Sequence, residues 1–328
     1  MITDVPGIRV GHVTDREGFT GCSVILSERP AVGGVELRGG ATGVHGLDFL
    51  DPHHLVPTLD AVILSGGSAF GLETVFGVMQ YLEERGVGFP VGPTVVPHVA
   101  GAILFDLRVG DHRARPTRAM GRQACLNARA GPVEEGSVGA GTGASVGKLF
   151  GIAYAMKGGI GSASARLSGG VIGALAAVNA LGDVRDPETG RLLAGTRRPP
   201  DGRRLADTAT ELRRGTSPRG FGAPQHTTLA VVATNFALTK PEARKVAQLG
   251  LLGFARALSP PHTALDGDAL FCLSVGDVRG DLTAIGLAAA DAVAQAIVRA
   301  IKAATSIPGL PAWSDLDADS SPASTRLD

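Results

Sequence analysis

The sequence predicts an α+β fold in which two stacked sheets, or one layered sheet, are flanked by helices within a single domain. Two observations carry this. Strand-like segments come in runs as well as in alternation with helices, so the chain is not a plain βαβ repeat. The 328 residues also include 44% apolar side chains but only 4% aromatics, with 47 glycines. Such a core is built from Ala, Val, Leu and Ile, with backbones approaching closely at glycines.

The elements follow in order. Residues 5–45 read as short strands with glycine turns, first Gly7-Ile8-Arg9-Val10-Gly11-His12-Val13 and then Gly21-Cys22-Ser23-Val24-Ile25-Leu26. Asp60 to Ser68 forms a buried strand ending in glycines. A helix follows with Leu72, Val75, Phe76, Val78, Met79 and Leu82 on its apolar face, closed by Gly86. A short strand, Gly101 to Leu107, precedes a helix around Met120–Ala130. Residues 136–180 are dense in glycine and small side chains, as strands packed close against other backbone or a ligand would be. Composition then shifts. Residues 183–224 hold nine arginines, several prolines and few large apolar side chains. That stretch reads as a long, mobile surface loop outside the core. Beyond it come a strand from Thr227, a helix from Pro241 to about Leu258, a strand from Asp268 to Val275 and a helix over about 282–304. Residues 308–328, rich in Ser, Asp and Pro, read as a disordered tail, leaving 1–307 as the domain.

Charge and cysteine usage narrow the function classes. Lys plus Arg equals Asp plus Glu at 31 each, so no global field favours nucleic acid or an anionic membrane. Small or neutral substrates are expected instead. Cys22, Cys125 and Cys272 are isolated and odd in number, which argues against a disulfide framework and for a reducing compartment, the cytoplasm. Met1-Ile2-Thr3-Asp4 lacks a basic n-region and an apolar h-region, so no signal peptide is expected. The last long helix carries Asp291, Gln295 and Arg299 and is not read as a membrane span.

Several motifs fail when tested against their spacing. Gly139-Ala140-Gly141-Thr142-Gly143-Ala144 meets a loose dinucleotide pattern, but no acidic residue stands about 20 residues on. Gly147-Lys148 suggests a phosphate loop, yet Thr142 and Leu149 occupy positions that need Gly and Ser or Thr. Lys148 remains, read either as a surface lysine at a strand end or as a functional group held by glycine-rich backbone. Gly66-Gly67-Ser68-Ala69-Phe70 misses the nucleophile elbow at Phe70, and Ser68 reads as an N-cap. Asp266-Gly267-Asp268 sets two carboxylates on one side of an extended segment, either at one site or in an exposed turn. His262 is nearby, and the histidines, His45, His53 and His54 among them, form no metal-ligand spacing. No cofactor and no metal are expected.

The most informative stretch is Gln225-His226-Thr227-Thr228-Leu229-Ala230-Val231-Val232. It turns abruptly from a polar, arginine-rich segment into a buried strand. A hydroxyl at the first residue of such a strand is well placed for a nucleophile whose own backbone nitrogen is freed by a cut between His226 and Thr227.

Taken together, the motifs resemble the P1-family peptidases, the group of L-aminopeptidase/D-esterases, β-aminopeptidases and nylon-oligomer hydrolases. The likeness runs from Val5-Pro6-Gly7 to the final helix. It rests on Gly21-Cys22, Ser65 to Leu72, Gly139 to Lys148, Val178-Asn179-Ala180-Leu181-Gly182-Asp183-Val184, Thr227 to Asn235 and Asp266-Gly267-Asp268. The last is most similar to the nylon-oligomer branch. The resemblance implies a four-layer αββα sandwich of the N-terminal-nucleophile-hydrolase type. It implies a precursor that cuts itself into chains 1–226 and 227–328, assembled as a symmetric tetramer. By motif, Thr227 is the nucleophile of self-cleavage and turnover, Lys148 tunes it, Asn179 stabilises the oxyanion, and Asp266 and Asp268 hold the threonine hydroxyl and amine.

That chemistry is self-consistent. A threonine hydroxyl needs a base, and a freed α-amine with a pKa of roughly 7.7–8 supplies one. Two positions depart from the relatives. His226 stands where Asn or Gly is usual, although the attack is on its carbonyl. Phe105 stands where some relatives carry a tyrosine, so a hydroxyl is missing from the substrate pocket. Small amide or peptide substrates are expected. An acyltransferase on a related self-cleaving scaffold and an unprocessed, non-catalytic member are the alternatives.

Overall fold

The computed structural model describes residues 1–218 and 226–317. Its organisation follows from one long strand. After β1 (Ile8–Asp15), the 18-residue β2 (Thr20–Leu37) takes part in two sheets in succession. Its first part pairs β1 on one edge and the strand Leu59–Ser65 on the other; its last part, Val32 to Leu37, pairs a different partner. Between them the register breaks, and Glu28, Arg29 and Pro30 are exposed at the bend. Proline suits that place because it cannot donate to a ladder.

The first sheet adds β3 (Val44–His45), β4 (Leu59–Ser65) and, parallel to β4, the later strand β5 (Val99–Ile103). Helices α1 (Glu73–Glu83) and α2 (Arg118–Asn127) cover its outer face. The second sheet comprises β6 (Gly159–Leu167), β7 (Gly170–Asn179), β8 (Thr227–Phe236) and β9 (Ala269–Val278), ending on β2. Its outer face carries α3 (Lys240–Gly250), α4 (Leu252–Ala257) and α5 (Leu282–Lys302). Among the pairs that join these nine strands, only β4–β5 and β8–β9 are parallel.

Alternation along the strands sorts the core into layers. Val62, Leu64, Ala100 and Ala102 of the first sheet meet Leu175, Leu229, Val231, Phe271 and Leu273 of the second. The even-numbered Ala230, Val232, Leu270 and Cys272 face α3, α4 and α5. Val24, Ala61 and Ile63 face α1 and α2. The result is helix, sheet, sheet, helix, the four-layer αββα arrangement that the motif resemblance implies. Small side chains let the layers approach: a Cβ at Gly161 would fall 2.3 Å from the Ala296 carbonyl oxygen of α5. α5 is apolar and long enough to cross a membrane, but 72% of its apolar window is buried in this core.

Several expectations are corrected. Ser68 is not an N-cap; it lies inside a short 3-10 turn (Ser68–Leu72) with φ +55°, and Gly67 occupies the cap. The helix expected over 241–258 divides at Leu251 into α3 and α4. The stretch from residue 183 is not the loop its composition suggests, as far as residue 218. Asp183–Arg185 pairs with Leu192–Ala194 and with Leu258–Ser259, Arg197–Arg198 pairs with Arg204–Leu205, and Thr208–Arg213 is helical. Its organiser is polar, which is why hydrophobic patterning misses it. The fully buried Asp183 carboxylate accepts the N–H groups of Thr196 and Thr208 at 2.8 and 2.5 Å and the Thr208 hydroxyl at 2.7 Å. The rest of that expected loop, residues 219–225, lies outside the described residues. The expected tail also begins too early: Leu310 and Ala312 are buried, the Pro311 carbonyl accepts the Lys157 N–H, and a short helix spans Trp313–Asp317. Residues 318–328 lie outside the described residues.

Candidate active site

β7 and β8 run antiparallel, and their register sets Asn179 opposite Thr227 at the end of the ladder. Odd-numbered neighbours on both strands face the inter-sheet core, so alternation aims both side chains into the end of that layer. β9 runs parallel beside β8, and this carries residues 266–268 past Thr227; His226 bridges Asp266.

Thr227 is 3% exposed. Its hydroxyl donates to the His226 carbonyl oxygen at 2.5 Å, and the same oxygen accepts the Gly267 N–H at 2.8 Å. Gly267 is confined to glycine, because a Cβ there would stand 2.7 Å from both Thr227 Oγ1 and the Ala41 carbonyl oxygen. His226 is buried, and burial followed by the nearby charges of Lys148 and Arg108 drives its imidazole far toward the neutral form.

Lys148 arrives on the turn of a small hairpin, Ser145–Val146 paired with Met156–Lys157. The backbone N–H groups of Gly147 and Lys148 donate to the carbonyls of Gly182 and Leu181, each at 3.0 Å, which ties the hairpin to the chain just after β7. Lys148 Nζ donates to Asn179 O at 2.9 Å and to Asn179 Oδ1 at 2.8 Å. Ser145 N–H also reaches Asn179 Oδ1, at 3.0 Å. With the amide oxygen fixed by two donors, Asn179 Nδ2 is turned the other way and donates to the Phe105 carbonyl at 3.0 Å. Burial lowers the Lys148 pKa to about 7, against the opposing pull of Asp266 and Asp106.

The two carboxylates are nearly inaccessible, each 1% exposed. Asp266 Oδ1 accepts the Leu181 N–H at 3.1 Å; its Oδ2 accepts the Thr263 N–H at 3.1 Å and the Thr263 hydroxyl. Burial first, and the Asp268 charge second, push its pKa up to about 6. Asp268 Oδ1 accepts the Thr228 N–H at 2.7 Å. Asp268 thus holds the backbone beside Thr227 rather than the Thr227 hydroxyl.

Thr227, Lys148, Asn179, Asp266 and Asp268 thus form one hydrogen-bonded neighbourhood with the His226–Thr227 bond inside it. Phe105 joins it through its backbone carbonyl, and its side chain is half-buried. Sequence reasoning missed Gly267, Thr263 and the N–H groups of Ser145 and Leu181. The glycine between the two aspartates was legible as a turn, whereas a backbone donor leaves no mark on residue type. Among the described residues, no group of three or more His, Cys, Asp or Glu side chains is arranged to hold a metal. His53 instead pairs with its neighbour Asp51, Nδ1 to Oδ1 at 2.8 Å.

Comparison with known proteins identifies the family and the fold. The model of peptidase family S58 matches residues 1–312. An uncharacterized aminopeptidase of Mycobacterium tuberculosis is 40% identical over 347 residues, covering 96% of this chain and 97% of the relative. The 6-aminohexanoate-oligomer endohydrolase of a Kocuria species is 30% identical over 319 residues, covering 91% and 85%. Among solved structures, the L-aminopeptidase D-Ala-esterase/amidase of Ochrobactrum anthropi, described as a new variant among the Ntn hydrolase fold, superposes with a TM-score of 0.70 at 22% identity, covering 92% of this chain and 86% of that one. A β-aminopeptidase of a Burkholderia species gives 0.68 at 23% identity, covering 97% and 93%. These two likenesses establish the fold. By sequence along nearly its whole length, the chain belongs to peptidase family S58, a family of hydrolases.

Proposed function

We propose that this protein cuts itself between His226 and Thr227 and then uses Thr227 as an N-terminal nucleophile against small amide substrates. The observation that carries the proposal is the hydroxyl of Thr227 resting on the carbonyl of His226, with the Gly267 N–H on the same oxygen. In self-cleavage a base takes the Thr227 hydroxyl proton, and Oγ1 bonds to the His226 carbonyl carbon. The negative charge formed on the carbonyl oxygen meets a donor already in place. Collapse breaks the C–N bond, the Thr227 nitrogen leaves as an amine after taking a proton, and water hydrolyses the resulting ester to a His226 carboxylate. Lys148, with its pKa lowered to about 7, suits proton transfer at neutral pH.

Once free, the Thr227 amine serves as the local base for its own hydroxyl, and the acyl group of a substrate passes to Oγ1 and then to water. Asn179, whose amide is oriented by Ser145 and Lys148, is assigned to the substrate oxyanion. Phe105, whose carbonyl accepts from Asn179 Nδ2, is assigned to the substrate pocket. The names of the relatives, aminopeptidase and 6-aminohexanoate-oligomer hydrolase, support short peptides and linear oligoamides as substrates. A symmetric tetramer of cut units completes the proposal; native mass determination tests it.

Intact-mass measurement on fresh protein checks the central step. Wild type yields two chains whose masses match a cut after residue 226, and Thr227→Ala stays whole and inert. Gly267→Ala, which drives a methyl group against Thr227 Oγ1, also stays whole. A Thr227→Ala protein that is cut and active would overturn the proposal. Transfer of an acyl group to an added amine, in place of hydrolysis, would reassign the reaction to an acyltransferase.

A further inference from the structure

Asp268 has a second set of partners that the reaction outlined above leaves unused. Its Oδ1 holds the Thr228 N–H, while its Oδ2 accepts both the backbone N–H of His262 at 3.0 Å and the ring Nδ1 of His262 at 2.9 Å. A carboxylate that is 1% exposed depends on such donors to remain where it is. We propose that His262 is a positioning residue: by gripping Asp268 it fixes the backbone immediately after Thr227 and so aims the nucleophile. The inference rests on the assignment of Thr227 as that nucleophile.

The local geometry supports a dedicated side chain at this place. His262 has φ +53°, a left-handed conformation that is uncommon outside glycine and in which Asn, Asp and His are the most frequent of the other residues. Its ring is stacked on Phe254 of α4, with centroids 5.5 Å apart and planes at 24°, so the imidazole is oriented by packing as well as by the hydrogen bond. The next residue does the same for the other carboxylate, since Thr263 grips Asp266 through its N–H and hydroxyl. Two consecutive residues thus each hold one of the two aspartates. Hydrogen bonding to Nδ1 while Asp268 is a carboxylate requires the proton on Nδ1.

Two substitutions separate positioning from simple support of the loop. His262→Gly suits the left-handed backbone and removes the ring; His262→Asn tolerates that backbone and returns an N–H donor near the place of Nδ1. The processed fraction of each is isolated and assayed with a chromogenic amino-acid amide, alongside thermal unfolding. The expected result for His262→Gly is a fall in kcat of about 10- to 100-fold, the scale of one hydrogen bond to a charged group, with KM little changed. His262→Asn should recover most of that loss. Wild-type kcat in His262→Gly, with Thr227→Ala inert, would overturn the inference alone. Equal impairment of the Gly and Asn proteins would overturn it too, because the ring would then be acting as packing. A Thr227→Ala protein that remains cut and active would overturn the nucleophile assignment and this inference with it.

Discussion

Two lysines nine positions apart in the chain show what burial does and does not reveal. Lys148 and Lys157 lie in one small hairpin, both are buried, and burial lowers the pKa of each to about 7. Their partners differ in kind. Lys157 Nζ donates to three backbone carbonyls, Gly141 at 2.7 Å, Ala144 at 3.0 Å and Gly158 at 3.0 Å, so all of its donors close off the glycine-rich turn. Lys148 donates to the backbone and side chain of Asn179, the residue opposite Thr227. A perturbed pKa by itself would nominate both as catalytic. The partners separate them: one lysine holds backbone in place, and the other is joined to the groups around the His226–Thr227 bond.

The contrast can be broken most forcefully at Lys148. Replacement by Met should slow self-cleavage and turnover by about 100- to 10,000-fold, the usual scale for a proton-transfer group, with a smaller loss of stability than at Lys157 because the Ser145 N–H still holds Asn179 Oδ1. Comparable activity in Lys148→Met and wild type would erase the distinction. Lys157→Met should do the reverse. It strands buried carbonyls, so stability should drop by about 3 kcal/mol in a denaturant titration, with turnover of the folded fraction far less affected than in Lys148→Met.

The contrast also predicts a pH dependence of stability. Each lysine has a folded pKa near 7 against a reference of 10.5, so the unfolded chain binds more protons between those values. Stability should therefore rise with pH from about 7 toward 10, by at most about 1.4 kcal/mol per pH unit for each lysine. It should gain nothing from them below about 6. Unfolding curves of Lys157→Met should show roughly half of that slope. An unchanged slope would mean that Lys157 keeps its proton in the folded protein, as it does in the unfolded chain.

Some of this was open to reading in the chain itself. The strand from Thr227, the carboxylates at 266 and 268, and the helix faces all follow periodicity or residue type, and they appear where the pattern sets them. Residues 183–218 do not, because a buried aspartate and its threonines organise them, and polar cores carry no hydrophobic period. The two readings of Lys148 as surface group or functional group were equally open in sequence; its contact with Asn179 comes from a residue 31 positions away.

The order of apolar and small residues along the chain was sufficient to determine layered sheets with helices outside, since burial of alternating faces is a local property of each strand. It also identified the threonine at the start of β8 as the place to look. Tertiary structure alone decided which donors converge there. The Gly267 N–H on the His226 carbonyl, the grip of His262 on Asp268, and the different duties of Lys148 and Lys157 all depend on strand register and close backbone approach. Hydrogen bonds act over about 3 Å, and no spacing in a linear sequence reports distances of that size between segments far apart.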